Sequence, residues 1–310
     1  MDGGEAISKT MFDSVEGKRD YFHCLVASLF FGIGLLGICL HGRNLSRLPK
    51  LDRVLPPGVV NLHFHLALAN LGILAMFPFG GISALFNRWL FGELGCQIYA
   101  FEGMVCGLTS IFLTCILPLL QFAVVRFGLK TNSTICHVLT FSAWGTAVAW
   151  SAFPLFGYGS YNLEPHRTSC ALDMGADSHL SMKYLVVLTA LYYVFPVGLA
   201  ALSAWMVSKQ LSFHSFKKRG QNQDRKFLDS NRRTNELNIR ILLTSFLTWL
   251  PLGIFAGISM WRGPPNINPA FYYIPQLSPK FGCALIPLAY RRIWHEVNRK
   301  NSAKPEKHAR

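Results

Sequence analysis

Charge is what this sequence has least of. Only 15% of its 310 residues are Asp, Glu, Lys or Arg, against about 25% in a soluble domain, which excludes an ordinary water-soluble globule. Acids are the scarcer sign, 16 against 30 bases. The apolar stretches lack the short-period alternation of a membrane β-barrel. The eight cysteines form no paired metal-binding motif, and neither an internal repeat nor a low-complexity segment is present. The first twenty residues are polar and mixed in charge. No cleavable leader is therefore expected, and the first apolar run would direct its own insertion.

What the chain has instead is apolar length. Hydrophobic residues make up 51% of it, gathered near 21–42, 59–85, 96–127, 135–156, 182–207, 239–261 and 271–290. Crossing about 30 Å of hydrocarbon takes about 20 helical residues, and lipid admits only helices or closed barrels. The expected fold is an all-α bundle of seven membrane-spanning helices. An extracellular tail over 1–20 precedes the bundle over 21–290, and an amphipathic helix with a basic tail follows over 291–310. In that helix Ile293, Trp294 and Val297 share one side, suited to lying on the inner leaflet. The polar stretch 211–236 reads as a flexible loop.

A net charge of +14 would suggest nucleic acid in a soluble protein, but its distribution points to the lipid bilayer. With the N-terminus outside, 22 of the 30 Lys and Arg fall on the inner side, nine of them between Lys209 and Arg240. That asymmetry predicts a multi-pass protein, in the plasma membrane, with N-terminus out and C-terminus cytoplasmic. The basic third inner loop suits anionic lipid or a cytosolic partner. Sequons at Asn44 and Asn132 fall in inner loops, away from glycosylation. Cys96 opens the third span and Cys170 lies in the loop before the fifth, both on the oxidising side, so a disulfide between them is expected.

One cation stands apart. Lys280 sits in the middle of the seventh apolar run, 271–290, where a charge costs several kcal/mol by most estimates, roughly 2.5–3.5 at the least. A desolvated lysine loses its proton and can form a Schiff base with an aldehyde. Glu102 is the only acid inside any span. Pro118, Pro154, Pro196, Pro251, Pro279 and Pro287 punctuate the runs, each able to kink a helix.

Several residue groups together carry a family likeness. They are Leu66-Ala-Leu-Ala-Asn70, Cys96, Trp144, Pro196, Trp249-Leu-Pro251, and Lys280 seven residues ahead of Pro287-Leu-Ala-Tyr290. The chain resembles a class A, rhodopsin-like G-protein-coupled receptor, and within that class an opsin, over about 21–298. The loop 157–173 and the segment 88–96 resemble the neuropsin group and its retinal-isomerase relatives. The resemblance implies covalent retinal at Lys280, with Glu164 as counterion and Glu102 as the alternative. It also implies a pocket of Tyr99, Met104, Gly107, Tyr193, Trp249, Leu252 and Gln276.

The inner end departs from the family pattern. Leu120-Gln121-Phe122 stands where an acid, Arg and Tyr are usual, and Asn70, Ala204, Thr248 and Ile286 replace other family residues. Pro251, Pro287 and Tyr290 of the switch remain. The resemblance therefore implies a non-enzymatic photoreceptor whose coupling to a heterotrimeric G protein is weakened or atypical. A retinal photoisomerase supplying 11-cis-retinal is the alternative, with a receptor for a diffusible ligand behind it.

Overall fold

The computed structural model describes residues 2–174, 179–217, 222–262 and 267–302. Its first helix, α1, is Asp2–Leu45. The helices α2 (Val59–Ala75) and α3 (Phe77–Leu85) follow as one kinked rod. The break falls at Met76, because Pro78 in the first turn of α3 has no N–H to continue the ladder. α4 (Gly92–Phe127), a 36-residue helix, touches α2, α5, α7 and α8. α5 is Ser133–Ala152, closed by a 3-10 turn, Phe153–Phe156, that holds Pro154.

The fifth rod is α6 (His179–Thr189), a π turn over Ala190–Val194, and α7 (Phe195–Lys217). The π turn immediately precedes Pro196, which cannot donate a helix bond. α8 runs Asn222–Arg262 with Pro251 inside it, and α9 runs Tyr273–Ala289 with Pro279 and Pro287 inside it. α10 is Arg291–Ser302.

Six helical segments among the described residues are long and apolar enough to cross a membrane: Tyr21–Leu45, Val59–Leu85, Gly92–Phe127, Ser133–Phe156, His179–Phe213 and Phe227–Arg262. α9 is the seventh. Its 17 residues follow a 3-10 turn, Pro269–Tyr272, started by Asn268, whose Oδ1 accepts from Ala270 N at 3.0 Å. Turn and helix together span about 30 Å. Large apolar side chains such as Leu25, Phe141, Leu202 and Ile254 point outward, as lipid contact requires.

Two expectations need correction. The stretch 211–236 is not a long flexible loop: α7 continues to Lys217 and α8 begins at Asn222, so only 218–221, outside the described residues, separates them. Glu236 supports the extension through Arg232 at 3.6 Å and Arg240 at 3.9 Å, both one turn away, the spacing that stabilises exposed helices. The apolar side of α10 also faces protein rather than lipid. Ile293, Trp294 and Val297 are buried in the core formed by Leu62, Leu66, Leu113, Leu117, Ile241 and Tyr290. Trp294 Nε1 donates to Asn44 Oδ1 at 3.0 Å. Asn132 caps α5, its Oδ1 accepting from Ile135 N at 2.8 Å, so both sequon asparagines serve the fold. The last eight residues, 303–310, lie outside the described residues.

At the opposite end of the bundle, β1 (Tyr161–Leu163) and β2 (Cys170–Leu172) form an antiparallel hairpin with Leu163 opposite Cys170. The Cys96–Cys170 disulfide ties it to the start of α4. Tyr161 is fully buried; its hydroxyl donates to Ser151 O at 2.7 Å, and Gln97 Nε2 donates to Tyr161 O at 2.9 Å. Burial pushes the Tyr161 phenol above its usual range. The hairpin is thereby a fixed roof over the bundle.

α9 and α8 approach so closely that a Cβ on Gly282 would overlap the Thr248 hydroxyl and lie 2.6 Å from Thr248 Cβ. Gly282→Ala is expected to destabilise the detergent-solubilised protein by about 1–3 kcal/mol, read as a lower thermal midpoint. Adding Thr248→Gly should restore it. An unchanged midpoint in the single variant would show that the two helices do not meet there.

Candidate functional site

Beneath the hairpin lies a cavity of about 240 Å³. Its floor and walls come from α4, α6, the π turn, α8 and α9, and its roof from the hairpin loop. Lys280, Glu164, Glu102, Tyr99, Met104, Gly107, Tyr193, Trp249, Leu252 and Gln276 all line it. Ten positions spread over 182 residues of sequence, from Tyr99 to Lys280, thus converge on one space. The helix geometry explains it: Gln276 and Lys280 are one turn apart on α9, as are Trp249 and Gly253 on α8.

Lys280 Nζ stands 5.9 Å from the ring centres of both Tyr99 and Phe30, within the reach of a cation–π attraction. Phe30 comes from α1, so three helices surround the amine. Lys280 is the only lysine or arginine on the cavity wall among the described residues.

The two carboxylates differ in their holding. Glu164 begins the hairpin turn. Its backbone N–H donates to Ser169 O at 3.0 Å, and its carbonyl accepts from Arg167 N at 2.7 Å. Arg167 takes the left-handed conformation, φ 59°, that closes so tight a turn. The Ser169 hydroxyl donates to Glu164 Oε2, and His166 Nε2 lies 3.7 Å from the same oxygen. Glu102 accepts from the Cys106 thiol one turn below, at 3.2 Å, while its Oε2 has no hydrogen-bond partner among the described residues.

At the far end, Trp249 faces Gly107. A Cβ there would come within 2.8 Å of the indole, so glycine is needed for the ring to sit where it does. Tyr193 lies 3.1 Å from the place a Cβ on Gly253 would take, and its hydroxyl reaches Phe246 O at 3.4 Å. The cavity is apolar between this aromatic end and the amine. The charged groups of the wall are Lys280, Glu164 and Glu102, while Thr189, Tyr192 and Tyr193 add only hydroxyls to it. Those residues fit a long apolar molecule with one carbonyl end. Glu102 Oε2 and Gln276 Nε2, each buried without a hydrogen-bond partner among the described residues, mark the polar end.

Sequence reasoning missed part of the wall. Leu108, Leu172, Leu188, Tyr192 and Ala256 also line the cavity; Leu188 and Tyr192, four apart, carry a helical-face signal in the fifth run. His166 carried no signal at all, since its burial depends on the hairpin.

The α10 end holds Gln121 and Tyr290, two of the residues expected to act as a switch. Gln121 is buried, and its Nε2 donates to Asn231 Oδ1 on α8 at 2.8 Å. Asn238 Nδ2 donates to Leu117 O at 3.3 Å. The Tyr290 hydroxyl meets His63 Nδ1 at 2.7 Å, joining α9 to α2. Pro251 kinks α8 two residues past Trp249, and buried Pro287 precedes Tyr290 by three. Arg292 bridges to Glu236 at 2.6 Å.

Residues 60–290 match the family model described as the 7 transmembrane receptor (rhodopsin family). A G0-coupled rhodopsin of Mizuhopecten yessoensis is 26% identical over 223 residues, covering 69% of this chain and 55% of its own. The chain therefore spans about half the length of that relative. A retinochrome of Todarodes pacificus is 24% identical over 271 residues, covering 86% of this chain and 88% of its own. The crystal structure of squid rhodopsin superposes with a TM-score of 0.80 at 18% identity, over 91% of this chain and 86% of that one, which supports the same seven-helix, multi-pass membrane fold. The chain belongs to the rhodopsin family of seven-transmembrane receptors, as an opsin.

Proposed function

We propose that the chain is a retinal-binding photoreceptor, in which Lys280 carries retinal and Glu164 balances the charge at the lysine nitrogen. The observation that supports it most is one amine in a largely apolar cavity lined by all ten expected residues. Retinal, held through a Schiff base, supplies absorption of light and a change of shape on isomerising. Everything else falls to the protein. The apolar wall keeps water from the lysine nitrogen. A buried cation needs an anion within reach, and Glu164 is the more firmly held one, since Ser169 and the hairpin turn fix it. Glu102 is the alternative, its carboxylate already engaged with Cys106 on one oxygen. Trp249, on the kinked α8, is the side chain through which a shape change in the cavity would move that helix.

Partners follow from the other end. With the chain oriented N-terminus out in the plasma membrane, the basic end formed by α7, α8 and α10 faces the cytoplasm and a heterotrimeric G protein. Gln121 has no charge and is tied to Asn231, so coupling is weak or atypical. The same bond favours a second reading, a retinal photoisomerase that releases its product rather than signalling. The similarity to a retinochrome over most of both chains supports it as well.

Lys280→Ala is expected to abolish covalent retinal, since no other lysine among the described residues lines the cavity. Borohydride-trapped retinal persisting on that variant would refute the assignment.

Glu164→Gln should lower the pH at which the retinal-linked nitrogen loses its proton by roughly 1–3 units, moving absorbance toward the ultraviolet at neutral pH. The sign follows because removing an anion disfavours the cation. Glu102→Gln should leave the spectrum nearly unchanged, and the reverse pattern would transfer the role to Glu102.

For coupling, the natural sequence should drive little nucleotide exchange in light, and Gln121→Arg should raise it severalfold by breaking the bond to Asn231 and restoring a cation. Robust exchange by the natural sequence with several G-protein families would contradict this account.

A further inference from the structure

The hairpin tip contains a histidine that the proposed photochemistry does not use. The His166 side chain is 2% exposed, although it lies in a loop. Three polar groups crowd its Nε2: Gln276 Oε1 at 3.0 Å, Ser169 Oγ at 3.4 Å and Glu164 Oε2 at 3.7 Å. Its ring lies 4.1 Å from that of Tyr273, whose hydroxyl meets Thr168 Oγ1 at 2.8 Å. Loop and α9 are thus pinned together through this side chain, one helical turn from Lys280.

The hydrogen-bond inventory limits what the ring can do. Gln276 Oε1 only accepts, so Nε2 must carry a hydrogen to bond it. Nδ1 is buried and has no hydrogen-bond partner among the described residues. It is the remaining seat for a second proton. An imidazole with both seats filled is a cation, placed 3.7 Å from the carboxylate proposed to face Lys280.

We propose that His166 is a positioning residue of this site: it clamps Glu164 between the hairpin tip and Gln276, and on gaining a proton it cancels the negative charge that Glu164 presents to Lys280. The charge available to the lysine nitrogen is then set from the hairpin side of the membrane. The titratable groups around the ring are Glu164 from its own loop and Tyr273 from α9. Across the cavity stand Tyr99 and Glu102 from α4 and Lys280 from α9. Only Glu164 among them is an anion in direct reach of His166. Histidine is the side-chain type whose charge most readily changes near neutral pH.

The inference rests on the photoreceptor reading for its consequence at Lys280, but not for its central contact. The test uses the full chain in lipid nanodiscs, first without retinal. Nitrogen NMR of labelled histidine, with His166 assigned by its loss in His166→Gln, reports the singly and doubly protonated rings. Glu164→Gln should cut the ratio of doubly to singly protonated His166 at pH 6 about tenfold, the effect of losing one close opposite charge. The second arm adds retinal and follows absorbance from pH 5 to 8. The natural chain should show a spectral step in parallel with the His166 signal, and both His166→Gln and His166→Asn should form pigment without that step. A protonation ratio unmoved by Glu164→Gln overturns the proposal, as does a spectral step that survives in both His166 variants. Failure of the natural chain to form any pigment overturns instead the photoreceptor reading, and with it the part of this proposal that concerns Lys280.

Discussion

An amine inside a low-dielectric cavity is the constraint around which this protein is arranged. A lone ammonium taken from water into such a space is disfavoured by several kcal/mol, about 2.5–3.5 on the gentler scales, and sheds its proton unless an anion is held nearby. Lys280 sits at mid-helix in α9, with aromatic faces from α1 and α4 against it and carboxylates from α4 and the hairpin on the same cavity. The span helices supply one acid; the second is brought by a loop that the Cys96–Cys170 bridge fixes to α4. The disulfide therefore does more than staple a loop. It fixes the loop that carries Glu164, the carboxylate proposed to face the amine.

The two ends of the molecule are built on different terms. Around the cavity, side chains match what a covalent polyene aldehyde needs: an apolar middle, an aromatic end, and a polar end confined to the amine. At the α10 end, charge has left the helix contacts. Gln121 and Asn231 join α4 to α8 by a neutral bond, Asn238 joins the same pair, and His63 holds Tyr290. An ion-pair cluster there, Glu236 with Arg232, Arg240 and Arg292, links α8 to α10. An opsin so made keeps its receiver and alters its transmitter, which is why a photoisomerase role stays a serious second reading.

Much of this was legible in the sequence, for a physical reason. Seven apolar runs can only be helices in lipid, and a lysine in the middle of one is so disfavoured that it points to its own use. The pocket residues followed from the resemblance, and the helical period then brought them to one space. What was not legible depended on contacts across the chain. Three-residue strands such as Tyr161–Leu163 leave no periodic trace, so the hairpin and the burial of His166 were hidden. The charged stretch before Arg240 looked like a loop because the partners of Glu236 lie on one helical face and on α10. Ile293, Trp294 and Val297 declared an amphipathic helix but not which apolar surface it meets.

The most direct measurement is reconstitution of the full chain with 11-cis- and with all-trans-retinal, with absorbance recorded in the dark and after light, followed by borohydride reduction and peptide mapping. The account predicts a light-sensitive pigment band with at least one isomer and reduced retinal on the peptide that contains Lys280. Absence of any retinal-dependent band with both isomers, or retinal recovered on a different peptide, would contradict it.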